Sequence, residues 1–179
     1  VENIDSNVGR LVNQLEQWQL LNDTIVVFMS DNGMAGGGGA KGKQPLGRDA
    51  NGQVINSWNA GMKGLKGSPD EGGVRVPFFI RWDGHFKAAR DIDRLAAHID
   101  LLPTFAAIAG ADLPPDQVEG RSLLPLLENA PQAWSDRLLF THTGRWPLGQ
   151  EPDQSQWKGF AVRNQKYRLV GNELFDMER

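Results

Sequence analysis

The sequence has no cysteine, a single tyrosine and three histidines. Without cysteine there is no disulfide, no thiolate-zinc site and no thiol nucleophile, and the absence suits a cytosolic protein and an exported bacterial one equally well. Long apolar runs are also missing. A membrane-spanning helix needs ~20 apolar residues, whereas the longest uncharged apolar stretch, Leu101 to Ala111, is broken by Pro103 and Gly110. Like charges do not cluster: 19 Lys and Arg are mixed among 22 Asp and Glu, for a formal net charge of −3. That pattern excludes a polybasic surface for nucleic acid or lipid, so an anionic ligand has to be held locally.

What remains is a chain of 179 residues with 40% hydrophobic content, enough for one domain or one domain and an appendage at ~100–200 residues per domain. It opens on Val1-Glu2-Asn3-Ile4-Asp5, with neither a start methionine nor a signal peptide, and runs at once into helical periodicity. The expectation is a segment of a larger protein.

Ile4, Val8, Leu11, Val12, Leu15, Trp18 and Leu21 recur every three or four residues, which predicts an amphipathic helix ending near Asn22-Asp23. Thr24 to Met29 is apolar on both faces and β-branched, as expected of a buried central strand of parallel type. Ser30-Asp31-Asn32-Gly33 then lies just past the strand's carboxyl end, where open α/β sheets place their ligands. From Gly33 to Gly73 the chain holds 13 of its 21 glycines and almost no apolar periodicity, so this long loop is a candidate active-site surface. Val74 to Arg81 reads as a second strand whose start Pro77 makes irregular. Asp100, Pro103 and Gly110 mark the cap, first turn and end of a helix, and a short helix is expected around Ser122 to Glu128. Arg137–Thr141, Phe160–Arg163, Tyr167–Val170 and Glu173–Asp176 are short strand-like runs, the last three separated by Asn164-Gln165 and Gly171-Asn172. They predict an antiparallel meander. The expected division is residues 1–130 as part of an α/β core and 131–179 as a small antiparallel lobe.

Several motifs carry candidate chemistry. Gly37 to Gln44 nearly matches a phosphate-binding loop, but Gln44 stands where Ser or Thr would hold magnesium, and Pro45 follows where a helix should begin. Asp31 and Asn32 offer adjacent oxygens suited to calcium or magnesium, although the triplet alone favours a plain tight turn at Asn32-Gly33, against which stands the glycine run that follows. Lys63 and Lys66 lie among closely spaced glycines, as anion-binding lysines or as solvated loop residues. His98 and Asp100 read as structural, Asp100 as a helix cap and His98 as a partly buried neighbour. His142-Thr143-Gly144-Arg145-Trp146 sets an imidazole, a guanidinium and an indole together, as a substrate subsite or a surface turn.

Taken together, Thr24 to Gly33, Asn59 to Ser68 and Glu71 to Trp82 resemble the second half of a type I sulfatase of the arylsulfatase group. The resemblance continues through His98 to Thr104, Glu119-Gly120-Arg121-Ser122-Leu123 and the closing Phe160–Arg163 and Leu174–Asp176 strands. It implies an alkaline-phosphatase-like α/β sandwich core followed by a small antiparallel sheet. It further implies sulfuric ester hydrolysis, with Asp31 and Asn32 as the late pair of calcium ligands and Lys66 as the catalytic, sulfate-gripping lysine. His142 and Arg145 are candidate substrate-binding residues. A sulfated small molecule or carbohydrate is the implied substrate, and a periplasmic or secreted setting the usual bacterial one.

In such enzymes the nucleophile is a hydrated formylglycine made from Cys or Ser in a Cys/Ser-x-Pro-x-Arg motif. This sequence has no Cys and no Ser followed by x-Pro-x-Arg. It also lacks the early aspartate pair, so the isolated chain is expected to be inactive and its calcium site to be completed by upstream residues. Asp70 stands where an aromatic is usual, and Asp83 where Pro is usual. The alternatives are a phosphoesterase or phosphonate hydrolase of the same superfamily, or a non-catalytic remnant or binding domain. Apolar surface at Val26, Phe28 and Phe79 is expected to be exposed and to invite self-association.

Overall fold

The structure, a computed structural model, describes residues 2–35, 47–48, 54–55, 60–129, 134–142, 144 and 146–178. It comprises two compact units. One is built from Val1–Phe28 and Phe78–Ser135, the other from Met29–Pro77 and Asp136–Arg179. Helices and strands mix in α/β fashion, and the chain closes on a small antiparallel sheet.

In the first unit, helix α1 (Glu2–Gln17) stops before the predicted end. Its periodicity runs on to Leu21, but Gln19 adopts φ 58°. The amide of Leu20 then bonds to Leu15 O at 2.9 Å and that of Gln19 to Glu16 O at 2.9 Å. This left-handed closure uses up the last helical carbonyls, and the chain restarts as a 3-10 turn, Leu21–Asp23. No residue of α1 is buried among the described residues.

Strand β1 (Val26–Met29) pairs with β4 (Phe78–Arg81). Among the described residues this sheet has two strands, so β1 is not the buried central strand its composition predicts: Phe28 is 37% and Phe79 65% exposed. Their rings meet at 6.2 Å. β4 starts only after Pro77, which has no amide proton to give to a ladder.

The core of this unit is Leu123, Leu126 and Leu127, backed by Ile80, Phe86 and Trp134. The leucines enter on helix α4 (Leu124–Leu127), and Arg90 donates to the carbonyls of Leu126 and Leu127, which helix geometry leaves without partners. Helix α3 (Leu101–Ala109) ends as expected at Gly110, φ 66°.

Asp100 is fully buried but does not cap α3 with its side chain. Its carboxylate instead accepts the amides of Ala97 (2.7 Å) and Arg121 (2.9 Å). Thr104, equally buried, donates to Asp100 O at 2.6 Å and accepts the Leu123 amide at 2.8 Å. A Cβ on Gly120 would lie 1.9 Å from Ile99 O, so the Glu119-Gly120-Arg121-Ser122 segment requires glycine there. Asp100 is therefore structural, by a different bond pattern from the one expected, and His98 is exposed, not partly buried.

The second unit contains the pair β2 (Gly47–Arg48) and β3 (Val54–Ile55), the one-turn helix α2 (Glu71–Val74) and a four-stranded antiparallel meander. The meander runs β5 (Leu139–His142), β6 (Phe160–Arg163), β7 (Tyr167–Val170) and β8 (Glu173–Asp176), in that order. Three of the four strands have the predicted bounds. Asn164 Oδ1 accepts the amides of Lys166 (3.0 Å) and Tyr167 (2.6 Å), which makes the β6–β7 turn a side-chain-stabilised one.

Side chains alternate across this sheet. Phe140, Val162, Leu169 and Leu174 align through the register on one face, where Phe140 is 74% and Leu174 67% exposed. Arg163, Arg168 and Phe175 share the opposite face, and there the buried contacts lie.

Candidate functional site

Within the second unit the turn at Asp31–Met34 is laced to the loop 63–74 by main-chain bonds. Gly33 N donates to Gly73 O at 2.8 Å and Lys66 N to Met34 O at 2.9 Å. Inside the loop, Gly72 N bonds to Lys63 O at 2.8 Å and Ser68 N to Leu65 O at 2.8 Å. The glycines here are a steric requirement. A Cβ on Gly33 would lie 2.0 Å from Gly72 O, and one on Gly72 2.1 Å from Gly64 O.

This lacing frames a cavity of about 250 Å³ whose lining includes Asn32, Lys66, Ser68, Gly73, Thr141 and His142. Three predicted site residues, more than 100 positions apart at the extremes, thus share one cavity. Asp31, exposed, precedes Asn32 in the same turn, where Ser30 Oγ donates to Asn32 O at 2.8 Å. Arg145 lies outside the described residues, as does the glycine run of the near-miss phosphate loop, Gly37 to Gln44.

The imidazole of His142 is fully committed. Gly144 N–H can only donate, so its 3.1 Å bond makes Nδ1 an acceptor, and the proton of the neutral ring sits on Nε2, which reaches Ser155 O at 3.1 Å. His142 therefore braces the chain at the cavity edge, with neither ring nitrogen free for a ligand in this arrangement.

Lys63 and Lys66 differ sharply. Lys63 pairs with Glu173 at 3.0 Å, comes within 3.9 Å of Asp70 and lies 4.8 Å from the Phe175 ring centroid. The Glu173 hydrogen bond raises its pKa above the usual lysine value, opposed by desolvation and aided by the charges of Glu173 and Asp70. Among the described residues, Lys66 has no carboxylate partner, which leaves its ammonium available to an anion. Asp70 is taken up locally by Ser68, whose hydroxyl donates to it at 2.6 Å.

One residue of the motif has a role that the sequence does not announce. Glu71 is buried, and its Oε1 accepts Arg163 at 2.6 Å and Arg168 at 2.7 Å. Burial pushes Arg168 below the usual guanidinium range, Glu71 opposing and Arg163 adding to the shift. An acid beside two glycines in a polar loop gives no sequence signal of burial, because its partners sit more than 90 residues later on strands.

The side-chain oxygens of Asp31 and Asn32 make no hydrogen bond among the described residues, and they are hard donors of the kind calcium or magnesium takes. Two donors fall short of the 6–8 oxygens calcium takes, and the described residues contain no cluster of three metal-ligating His, Cys, Asp or Glu. The chain's donors fit part of a metal shell.

A family model described as "Sulfatase" matches residues 1–111, and one described as "N-sulphoglucosamine sulphohydrolase, C-terminal" matches residues 69–177. The chain is 35% identical to human steryl-sulfatase over 167 residues, which is 89% of this chain and 27% of that protein. The solved structure of Ps i-CgsB in complex with k-i-k-neocarrahexaose is 28% identical, with a TM-score of 0.65 over 98% of this chain and 34% of that one. A second solved structure, in complex with its substrate D-glucosamine-2-N,6-O-disulfate, is 26% identical, with a TM-score of 0.59 over 98% of this chain and 32% of that one. The chain thus spans about a quarter to a third of the length of these proteins.

Proposed function

Because the chain belongs to the sulfatase family, we propose that it supplies the late half of an active site that hydrolyses sulfate esters. The observation that carries this reading is the convergence of Asn32 and Lys66 on one cavity, beside Asp31. Lys66 grips the sulfate: a compact ammonium without a carboxylate partner among the described residues offsets part of the anion's charge, and the Lys66–Met34 main-chain bond holds it next to the metal-binding turn. Asp31 and Asn32 hold the metal, for which their hard oxygens suit calcium. When bound, that ion polarises the sulfate oxygens and stabilises charge that shifts in the transition state. Thr141 and His142 wall the cavity on the sheet side, where His142 also braces Gly144 and Ser155.

The remaining metal ligands and the nucleophile come from outside these residues, and so we assign no turnover to the chain by itself. The substrate class is a sulfated small molecule or carbohydrate, supported by relatives named for a steryl sulfate and solved with a sulfated sugar. An exported location, periplasmic or secreted, accompanies this reading. Among the described residues no helix is long and apolar enough to cross a membrane.

The test is to read the gene upstream of Val1 and assay the complete protein on 4-nitrophenyl sulfate. A Cys/Ser-x-Pro-x-Arg motif and turnover that falls ~10²–10³-fold in Lys66→Ala are the expected results. Preferred turnover of 4-nitrophenyl phosphate or a phosphonate ester, or no turnover of any of these, would overturn it.

A further inference from the structure

We propose that Glu71 is the positioning residue of this site: its carboxylate pins the loop 63–74 to strands β6 and β7 and so sets where Lys66 stands against Asp31 and Asn32. The consequence for sulfate rests on the function proposed above; the positioning itself does not.

The argument starts from the quality of the ion pair. Both guanidinium groups share one oxygen, Oε1, while Glu71 Oε2 and Arg168 Nε and Nη2 are buried with no hydrogen-bond partner among the described residues. A buried pair with unsatisfied members contributes little to stability, and the best-attested use of such pairs is fixing register. The register at stake here is visible. Glu71 is followed by Gly72 and Gly73, both buried, and a Cβ on Gly73 would lie 2.1 Å from Ser68 O. Gly72 and Gly73 in turn hold Lys63 O and Gly33 N at 2.8 Å each. A main chain packed that closely has no slack, so the anchoring of Glu71 passes to both sides of the cavity. Arg163 and Arg168 face each other across β6 and β7, which makes the anchor point part of a rigid ladder.

Amide hydrogen exchange on the chain reads this without any ligand. In Glu71→Gln the Lys66 and Gly33 amides should exchange about tenfold faster, while Val162 and Leu169 in the sheet stay protected. Should Glu71→Gln fail to fold, Arg163→Gln removes the less buried guanidinium and should give the same selective pattern. Uniform loss of protection, or none at Lys66 and Gly33, would overturn the proposal. In the complete protein, Glu71→Gln should raise the inhibition constant of inorganic sulfate about tenfold, approaching Lys66→Ala, at a temperature where exchange shows the sheet of the variant still protected. An unchanged constant in Glu71→Gln when Lys66→Ala does raise it also overturns the proposal. If Lys66→Ala leaves the constant unchanged, the sulfate reading fails, and selective exchange at Lys66 and Gly33 still supports Glu71 as the anchor.

Discussion

Lys66 donates its backbone amide to the carbonyl of Met34 at 2.9 Å, joining the lysine loop to the Asp31-Asn32 turn across 31 intervening residues. The bond places two kinds of chemistry, a cation and a pair of oxygen donors, on one frame before any ligand arrives. Preorganisation of this kind is what lets electrostatic stabilisation act without reorganisation cost.

Gly33→Ala should break that frame. The new methyl would meet Gly72 O at 2.0 Å, backbone against backbone, so one strand of the lacing must move. Overpacking of this sort costs ~1–3 kcal/mol, and urea unfolding together with loss of protection at the Lys66 amide would show it. A variant as stable as the parent would mean that the turn sits farther from Gly72 than described.

Asp100→Ala tests the reassigned aspartate. It leaves the part-buried amides of Ala97 and Arg121 without their acceptor, at a cost of up to ~1–3 kcal/mol for each unsatisfied group. If Asp100 merely capped α3, the loss would instead be near ~1 kcal/mol. The unfolding midpoint separates the two.

Acid should act on the Arg81–Asp83 pair. Two bonds of 2.6 Å hold the carboxylate, and the Arg81 hydrogen bond draws the pKa of Asp83 below the usual aspartate value. A depressed folded-state pKa means that the pair's contribution is complete above the unfolded value of ~3.9 and disappears as pH falls through the folded one. The Asp83 side chain is solvent-exposed enough for screening to keep the contribution small. Carbon-detected titration should find its midpoint below ~3.9 and back near that value in Arg81→Gln; no change between the two would remove Arg81 as the cause.

Phe79, 65% exposed on β4 beside Phe28, should drive association of the chain. Light scattering of Phe79→Lys should show a smaller mean mass than the parent at equal concentration. A monomeric parent would sink the idea.

Local signals in the sequence were dependable wherever neighbours in the chain decide the outcome. Gly110 ends α3 because only a left-handed residue closes a helix there, and Asn164 and Gly171 mark the meander turns for similar reasons. The α1 terminus falls short of its periodicity because Gln19 takes up a left-handed conformation with no glycine to announce it. β1 reads as a buried central strand, since composition reports what a strand suits and not how many neighbours it has. The motif residues Asp31, Asn32 and Lys66 are legible as candidates, yet taken one at a time each reads more simply as part of a turn or a solvated loop.

By itself, then, the sequence determined the order of the elements, the antiparallel meander and the family resemblance, because these depend on periodicity, turn chemistry and short motifs. Only the tertiary structure decided that Asn32, Lys66 and His142 meet in one cavity, that Lys63 is spent on Glu173, that both nitrogens of His142 are occupied, and that Glu71 is buried between two arginines. Apart from the His142 bonds to Gly144 and Ser155, these outcomes are contacts between segments far apart in the chain. Such contacts are set by which main-chain surfaces pack closely enough to exclude a Cβ, and that is a property of the folded backbone which no local pattern encodes.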